Sequence, residues 1–332
     1  MTQFAINGLG RMGKLVLRRL FDMGLGHQVA LINDPFGDIA THALLIKFDT
    51  VHGTWKSDVS HDENSITIDG HTIKFTQELA PAKLPLDDIG LVIECSGKFK
   101  TTPTLQPYFD AGVQKVVVSA PVKIEEAANI VYGVNHDIYT DQRIVTAASC
   151  TTNCIAPVVK VFHETFGIDQ ASFTTIHDVT NTQTIVDKAH KDPRRARSAL
   201  NSLIPTTTGS AKAVIQIFPE LEGKINGHAV RVPLLNASLT DIVFDVSRDV
   251  TTEDVNAALQ QASETSLKDI LGFETRPLVS CDYTNDDRST IVDAPSTMVV
   301  NKRQVKIYAW YDNEWGYVSR LADITNMVAK SI

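Results

Sequence analysis

The sequence predicts two domains: an α/β domain built on a doubly wound parallel sheet, then an α+β domain on a mostly antiparallel or mixed sheet. Three observations carry that expectation. In the first half, short β-branched runs alternate with helical periods, the signature of parallel βαβ units. The first of those runs ends in a glycine-rich turn, Gly8-Leu9-Gly10-Arg11-Met12-Gly13, which opens the first helical period. Beyond residue 150 the strands lengthen and the helices stand apart from them, as in an α+β domain. A chain of 332 residues with 43% hydrophobic content can bury two cores. The change of pattern near Ser149 sets the expected boundary, with 1–149 as the first domain, completed by a C-terminal helix over 315–332, and 150–314 as the second.

Taken in order, Phe4-Ala5-Ile6-Asn7 is an apolar run short enough for a buried strand, and residues 11–23 carry a helical period. Val29-Ala30-Leu31-Ile32 reads as the second strand. Asp69-Gly70 lies between two alternating runs, 65–68 and 72–75, and predicts a tight hairpin. Residues 91–94 and 115–118 are strands around a helix over 104–111. A helix over 155–166 follows the small hydroxyl residues that surround Cys150. Strands are expected at 172–177, 229–233, 239–246 and 304–311, and helices near 208–217 and 252–263. Residues 178–202 show neither period, and so long an irregular loop in a compact domain is usually functional.

Composition narrows the function classes. The net charge of −8, from 39 acidic and 31 basic residues, provides no overall footprint for nucleic acid, so none is expected as a partner. A local basic run at Lys188, His190, Lys191, Arg194, Arg195 and Arg197 suits a small anion or a solvated loop. No apolar run is long enough to cross a bilayer and the first residues, MTQFAINGLG, lack a secretory pattern, so no membrane association and a cytoplasmic location are expected. Four cysteines without framework or zinc-site spacing predict neither disulfide nor metal.

Two local features point to chemistry. Gly8, Gly10 and Gly13 complete G-x-G-x-x-G between a strand and a helix, where the backbone can approach a pyrophosphate lodged at the helix N-terminus. Asp34, at the end of the second strand, can accept hydrogen bonds from an adenosine ribose, which predicts NAD and disfavours the 2′-phosphate of NADP. Cys150 stands where a helix begins, and helix-end N–H groups favour a thiolate. Cys154, one turn on among apolar residues, reads as a buried hydrophobe. A nucleophilic thiol beside a nicotinamide domain suggests aldehyde oxidation through a thioester, which needs a base. His177, ending a strand ahead of the long loop, is the candidate; His27, His42, His61, His71 and His136 lie in surface-like contexts.

Asn7-Gly8-Leu9-Gly10-Arg11, Ser149-Cys150-Thr151-Thr152-Asn153-Cys154, Thr174-Thr175-Ile176-His177, Pro205-Thr206-Thr207-Thr208-Gly209, Arg231-Val232-Pro233 and Trp310-Tyr311-Asp312-Asn313-Glu314 together resemble the phosphorylating glyceraldehyde-3-phosphate dehydrogenases, along essentially the whole chain. The resemblance implies a Rossmann domain that binds NAD through Gly8, Gly10, Arg11, Met12, Gly13, Asp34, Ser96 and Ser119, with Asn313 orienting the nicotinamide carboxamide. It implies that Cys150 attacks the aldehyde of glyceraldehyde 3-phosphate, that His177 takes the thiol proton, and that inorganic phosphate cleaves the thioester. Thr180 and Arg231 match positions holding the substrate's phosphate; Ser149, Thr208, Gly209 and Arg195 match those holding the attacking anion; Thr151 is among the substrate-binding positions. It further implies a homotetramer in which the 178–202 loop reaches a neighbouring subunit's cofactor.

The sequence departs from the family pattern at Ala189, where NAD-preferring members usually carry proline, which loosens the expected rejection of NADP. It departs also at Thr146-Ala147-Ala148, Asp178-Val179 and Leu234-Leu235. These clusters are similar to the subgroup encoded beside an organoarsenical exporter in arsenic-resistance gene clusters, which implies arsenate as attacking anion and 1-arseno-3-phosphoglycerate as product. Glycolytic or gluconeogenic oxidation and erythrose-4-phosphate oxidation use the same thiol chemistry. A nucleic-acid-binding or scaffolding role is the reading from another class.

Overall fold

A computed structural model describes residues 2–332, which divide into two compact units. The first runs to Tyr132, resumes over His136–Ser149 and closes with Val318–Ile332; the second takes Gly133–Asn135 and Cys150–Tyr317.

In the first unit β1 (Gln3–Asn7) lies between β2 (Val29–Asn33) and β8 (Ile89–Glu94), parallel to both. Beyond β8 come β9 (Lys115–Val118), β11 (Ile144–Thr146) and β10 (Ala128–Asn129), all parallel; beyond β2 come β7 (His71–Thr76), β6 (Ser65–Ile68) and β5 (Val59–His61). Strand β7 pairs parallel with β2 on one side and antiparallel with β6 on the other, so a hairpin finishes an otherwise parallel sheet. Its turn places Asp69 and Gly70 at φ 47 and 82, the left-handed pair that the predicted hairpin requires. A two-stranded excursion joins β3 (Phe48–Asp49) to β4 (Gly53–Thr54).

Phe4, Ile6, Ile32, Ile93 and Val117 are fully buried, as a parallel sheet covered on both faces demands. Its helices are α1 (Arg11–Asp22), α2 (Ile39–Lys47) and α3 (Thr102–Asp110). Strands are added to one side of β1 through β2 and to the other through β8, so the carboxyl ends of β1, β2 and β8 form a switch point, the place where such sheets bind ligands. Polar residues converge there. Asn33 Nδ2 donates to Asn7 Oδ1 and Asn7 Nδ2 to Glu94 Oε2, both at 2.7 Å, and Tyr108 Oη donates to Glu94 Oε2 at 2.5 Å. Burial raises the Glu94 carboxyl despite these bonds.

The second unit is a mixed sheet. In spatial order it runs β13 (Ile204–Thr207), β14 (Ile225–Arg231), β12 (Ile168–His177), β15 (Ser238–Val246), β19 (Gln304–Tyr311), β17 (Thr290–Asp293) and β16 (Leu271–Glu274), with β18 (Met298–Val300) against β19. Only β12–β14 and β16–β17 pair parallel among these. Alternate residues of β15 are buried, including Ile242, Phe244 and Val246. On that face lies α4 (Cys150–Phe166), whose Phe162 stacks on Phe244 at 4.1 Å. The other helices of the unit are α5 (Ser210–Ile217) and α6 (Thr252–Glu264). Last in the chain, α7 (Trp315–Ala329) passes from the second unit into the first.

Several expected boundaries move for physical reasons. Strand β14 ends at Arg231 rather than 233, because Pro233 has no N–H for the ladder. Helix α4 starts at Cys150 itself, not at 155. His42, expected at the surface, is 5% exposed, and its Nε2 lies 2.8 Å from the Phe36 carbonyl oxygen.

Candidate active site

Strand β12 places Phe173, Thr175 and His177 on one buried face by its two-residue alternation. The same face meets the start of α4, so His177 at the strand's end faces Cys150 at the helix's first residue. Cys150 Sγ lies 3.6 Å from His177 Nε2. Burial by itself would raise the thiol pKa. The hydrogen bond and positive charge of His177 outweigh it, and the Cys150 thiol is lowered below its usual value. Burial likewise pulls the imidazole down, yet bonding to Asp178 and Cys150 pushes His177 up to about 9. Each group thus favours the charged form of the other, thiolate beside imidazolium.

Two further side chains shape this pair. Tyr311, on β19, sets its ring edge-on to His177 with centroids 6.0 Å apart. Its Oη lies 3.1 Å from Thr151 Oγ1 and 2.8 Å from Thr175 Oγ1. Burial holds its phenol far above the ordinary range, so it stays neutral. Arg231 ends β14 on the rung paired with His177, and its Nη1 is 2.7 Å from His177 Nδ1. Cys154 is fully buried, 3.6 Å from Thr240 Oγ1 and 3.5 Å from Thr290 Oγ1, and burial pushes its thiol up to about 12. The two cysteines of one helix are thus driven in opposite directions.

The remaining expected anion positions form two further groups. Thr180 Oγ1 is 2.9 Å from Thr182 Oγ1, to which Arg195 Nη1 donates at 3.4 Å, so these three share one hydroxyl-lined corner of the loop. Thr208 and Gly209 lead into α5, with Thr208 Oγ1 accepting from Ser210 N at 3.2 Å. Ser149 is half-buried and directly precedes α4; Thr151 is buried and turned towards Tyr311. Of the basic run, Arg197 is engaged by Asp187 at 2.8 Å.

The cofactor positions divide between the units. Gly8 sits at φ +95, where a Cβ would meet Ser96 N at 2.6 Å, and a Cβ on Gly13 would meet Gly8 O at 1.9 Å. A Cβ on Gly10 would meet nothing within 4 Å, so the turn leaves open space ahead of α1, whose N-cap has no side chain. Asp34 accepts from Leu9 N at 2.7 Å and Phe36 N at 3.0 Å, which fixes its carboxylate beside that turn. Arg11 is ion-paired with Asp49, and the half-buried Met12 follows it. Ser96 N donates to Glu94 Oε1 at 2.7 Å, and Ser119 N to Glu94 O at 2.9 Å, at the carboxyl ends of β8 and β9. In the second unit Asn313 is 6% exposed and its Oδ1 has no partner among the described residues. Such an orphaned acceptor fits an amide donor.

Sequence reasoning missed two participants. Asp178 stood out only as an unusual neighbour of His177, and Tyr311 only as part of a motif; Asp178 bonds His177 where the chain leaves β12, and Tyr311 reaches it from the end of β19. Comparison with known proteins agrees with the geometry. The NAD binding domain of glyceraldehyde 3-phosphate dehydrogenase matches residues 2–102, and its C-terminal domain matches residues 149–313. Glyceraldehyde-3-phosphate dehydrogenase 3 of Nostoc sp. is 57% identical, with 100% of this chain and 99% of that protein covered. Glyceraldehyde-3-phosphate dehydrogenase 1 of Bacillus cereus is 47% identical, covering 98% of this chain and 97% of its own. The glyceraldehyde-3-phosphate dehydrogenase of Pseudomonas aeruginosa is 47% identical, with 97% and 96% covered.

Proposed function

The chain belongs to the glyceraldehyde-3-phosphate dehydrogenase family, and from that premise we propose that it oxidises glyceraldehyde 3-phosphate through a thioester on Cys150, which phosphate or arsenate then cleaves. The observation that carries this is the Cys150–His177 contact at 3.6 Å with its lowered thiol. His177 takes the thiol proton, the thiolate adds to the aldehyde carbon, and the protonated imidazole steadies the developing oxyanion. NAD, when bound, accepts the hydride that leaves this carbon. Attack of an oxyanion on the thioester then frees the thiolate and yields the acyl phosphate or arsenate.

In this reading residues 1–149 with the closing helix bind NAD, and 150–314 carry the thiol. Gly8, Gly10, Arg11, Met12 and Gly13 receive the pyrophosphate, Asp34 the ribose, Ser96 and Ser119 border the same sheet end, and Asn313 Oδ1 accepts from the carboxamide. Arg231 and Thr180 hold the substrate phosphate. Arg195, Thr208, Gly209 and Ser149 hold the attacking anion, and Thr151 is a further substrate-binding position.

Arsenate resistance is the physiological setting we propose, with a homotetramer as the working form. Support comes from two of the three departing clusters, Asp178-Val179 and Leu234-Leu235, meeting in the fold: Val179 N donates to the Leu234 carbonyl at 3.0 Å, and Val232 N to the His177 carbonyl at 2.9 Å. The changes therefore alter one place beside the His177–Arg231 pair. Steady-state kcat/KM with NAD and glyceraldehyde 3-phosphate, run with phosphate and with arsenate, tests the chemistry; no NAD reduction with either anion overturns it. Deleting the gene should lower arsenate tolerance and leave growth on glucose intact. A strain that tolerates arsenate normally returns the protein to central metabolism.

A further inference from the structure

Three groups converge on His177 Nδ1. Asp178 Oδ1 lies 2.6 Å away, the Asp178 carbonyl oxygen 2.9 Å away and Arg231 Nη1 2.7 Å away. Oxygens of a carboxylate can only accept, and a guanidinium can only donate. Nδ1 therefore carries a proton when it serves Asp178 and lacks one when it serves Arg231. On a neutral ring these partners favour opposite tautomers. With the proton on Nδ1, Nε2 presents a lone pair to Cys150 Sγ and can take the thiol proton. With the proton on Nε2, the ring can only donate towards sulfur.

Asp178 is 0% exposed. Ser238 Oγ donates to its Oδ1 at 3.2 Å and accepts from its backbone N at 3.2 Å, which fixes the carboxylate; Oδ2 has no partner among the described residues. A carboxylate buried in this way costs stability unless a cation offsets it. The cationic partners at hand are the imidazolium and Arg231. From the other packed elements, His177 faces Cys150 of α4, Arg231 of β14 and the neutral phenol of Tyr311 on β19.

We propose that Asp178 is a positioning residue for the Cys150–His177 pair: it draws the ring proton to Nδ1 against the pull of Arg231, so that Nε2 is basic towards the thiol. When the thiol proton moves from Sγ to Nε2, the ring becomes imidazolium, with one N–H on the thiolate and the other on Asp178. The bond broken is S–H, the bond formed is Nε2–H, and nothing is oxidised. Arg231, relieved of Nδ1, keeps its donors for an anion. This assignment rests on the dehydrogenase reading above.

The test compares the unmodified enzyme with Asp178→Asn and Asp178→Ala in pH profiles of kcat and kcat/KM. Both variants should lose about 10²-fold in kcat, the low end for a positioned acid–base group, with KM for the aldehyde unchanged. The descending limb, set by His177 near 9, should move towards the ordinary histidine value. Asparagine fills the same volume and can still bond Ser238, so a purely structural role would be rescued by it; a wild-type profile for Asp178→Asn overturns the proposal. So does a change confined to KM. A second measurement needs no variant of Asp178: the ¹⁵N spectrum of histidine-labelled enzyme, assigned with His177→Asn and recorded above pH 9 where the ring is neutral, should show protonated Nδ1 and bare Nε2, and a bare Nδ1 overturns the proposal. An unmodified enzyme that reduces no NAD would instead overturn the dehydrogenase reading, while the ¹⁵N result would still report the tautomer.

Discussion

Cys150 and Cys154 sit one turn apart on α4, yet a half-buried thiol at the helix start meets an imidazole while its neighbour meets only hydroxyls and a carbonyl. Cys150→Ser should abolish oxidation, because an alcohol there is barely ionised, whereas Cys154→Ser should keep most turnover. NADH formation measured on both proteins checks this; near-wild-type turnover of Cys150→Ser removes the thioester from the mechanism. This much was legible in the sequence, since a thiol at a helix start and a histidine at a strand end are local patterns. The role of Asp178 was not. Adjacent residues on a strand point to opposite faces, and only the end of β12, where the chain leaves the sheet, lets residues 177 and 178 bond through their side chains.

Among the elements, the central strands β1, β2, β8 and β9 were readable because burial on both faces demands continuous apolar runs. Helix α2 was not, for its sequence IATHALLIK is apolar with little one-sidedness; it is set instead by Asp38, which accepts from Thr41 N at 2.6 Å. The parallel pairing of β7 with β2 was hidden by the hairpin signal, which reports only its other edge. A tie between elements gives the next prediction. Burial would raise the Asp49 carboxyl, but Arg11 of α1 and the N–H groups of Val51 and His52 hold it at about 2. A depressed carboxyl contributes stability above its unfolded value of 3.8 and loses it as pH falls through about 2. Urea midpoints between pH 5 and 2 should therefore fall more steeply for the unmodified protein than for Asp49→Asn, and parallel slopes would show that the pair contributes nothing.

At the scale of the whole molecule, the loop after β12 holds Ile185, Val186 and Leu200 at 65% exposure or more, with Leu203 just beyond. Side chains of this kind gathered in one segment mark an association surface. Sedimentation should give a tetramer of the 36.4 kDa chain, and Ile185→Asp with Val186→Asp should shift it to smaller species. A monomer in the unmodified protein sinks the tetramer proposal. The two-part organisation was visible as a change of pattern, but the sequence could not show that Gly133–Asn135 belong with the second unit. A last consequence concerns how the molecule is made. Val318, Leu321, Ile324 and Val328 of α7 are wholly buried, Val318–Ile332 belong to the first unit, and Tyr139 Oη meets Ser331 Oγ there at 2.7 Å. Domains generally fold as units, beginning at the N-terminus while the chain is still emerging from the ribosome. Here residues 318–332, made after the whole of the second unit, belong to the unit begun first. The nascent first unit must wait, with an apolar surface uncovered, until residues 318–332 have been made.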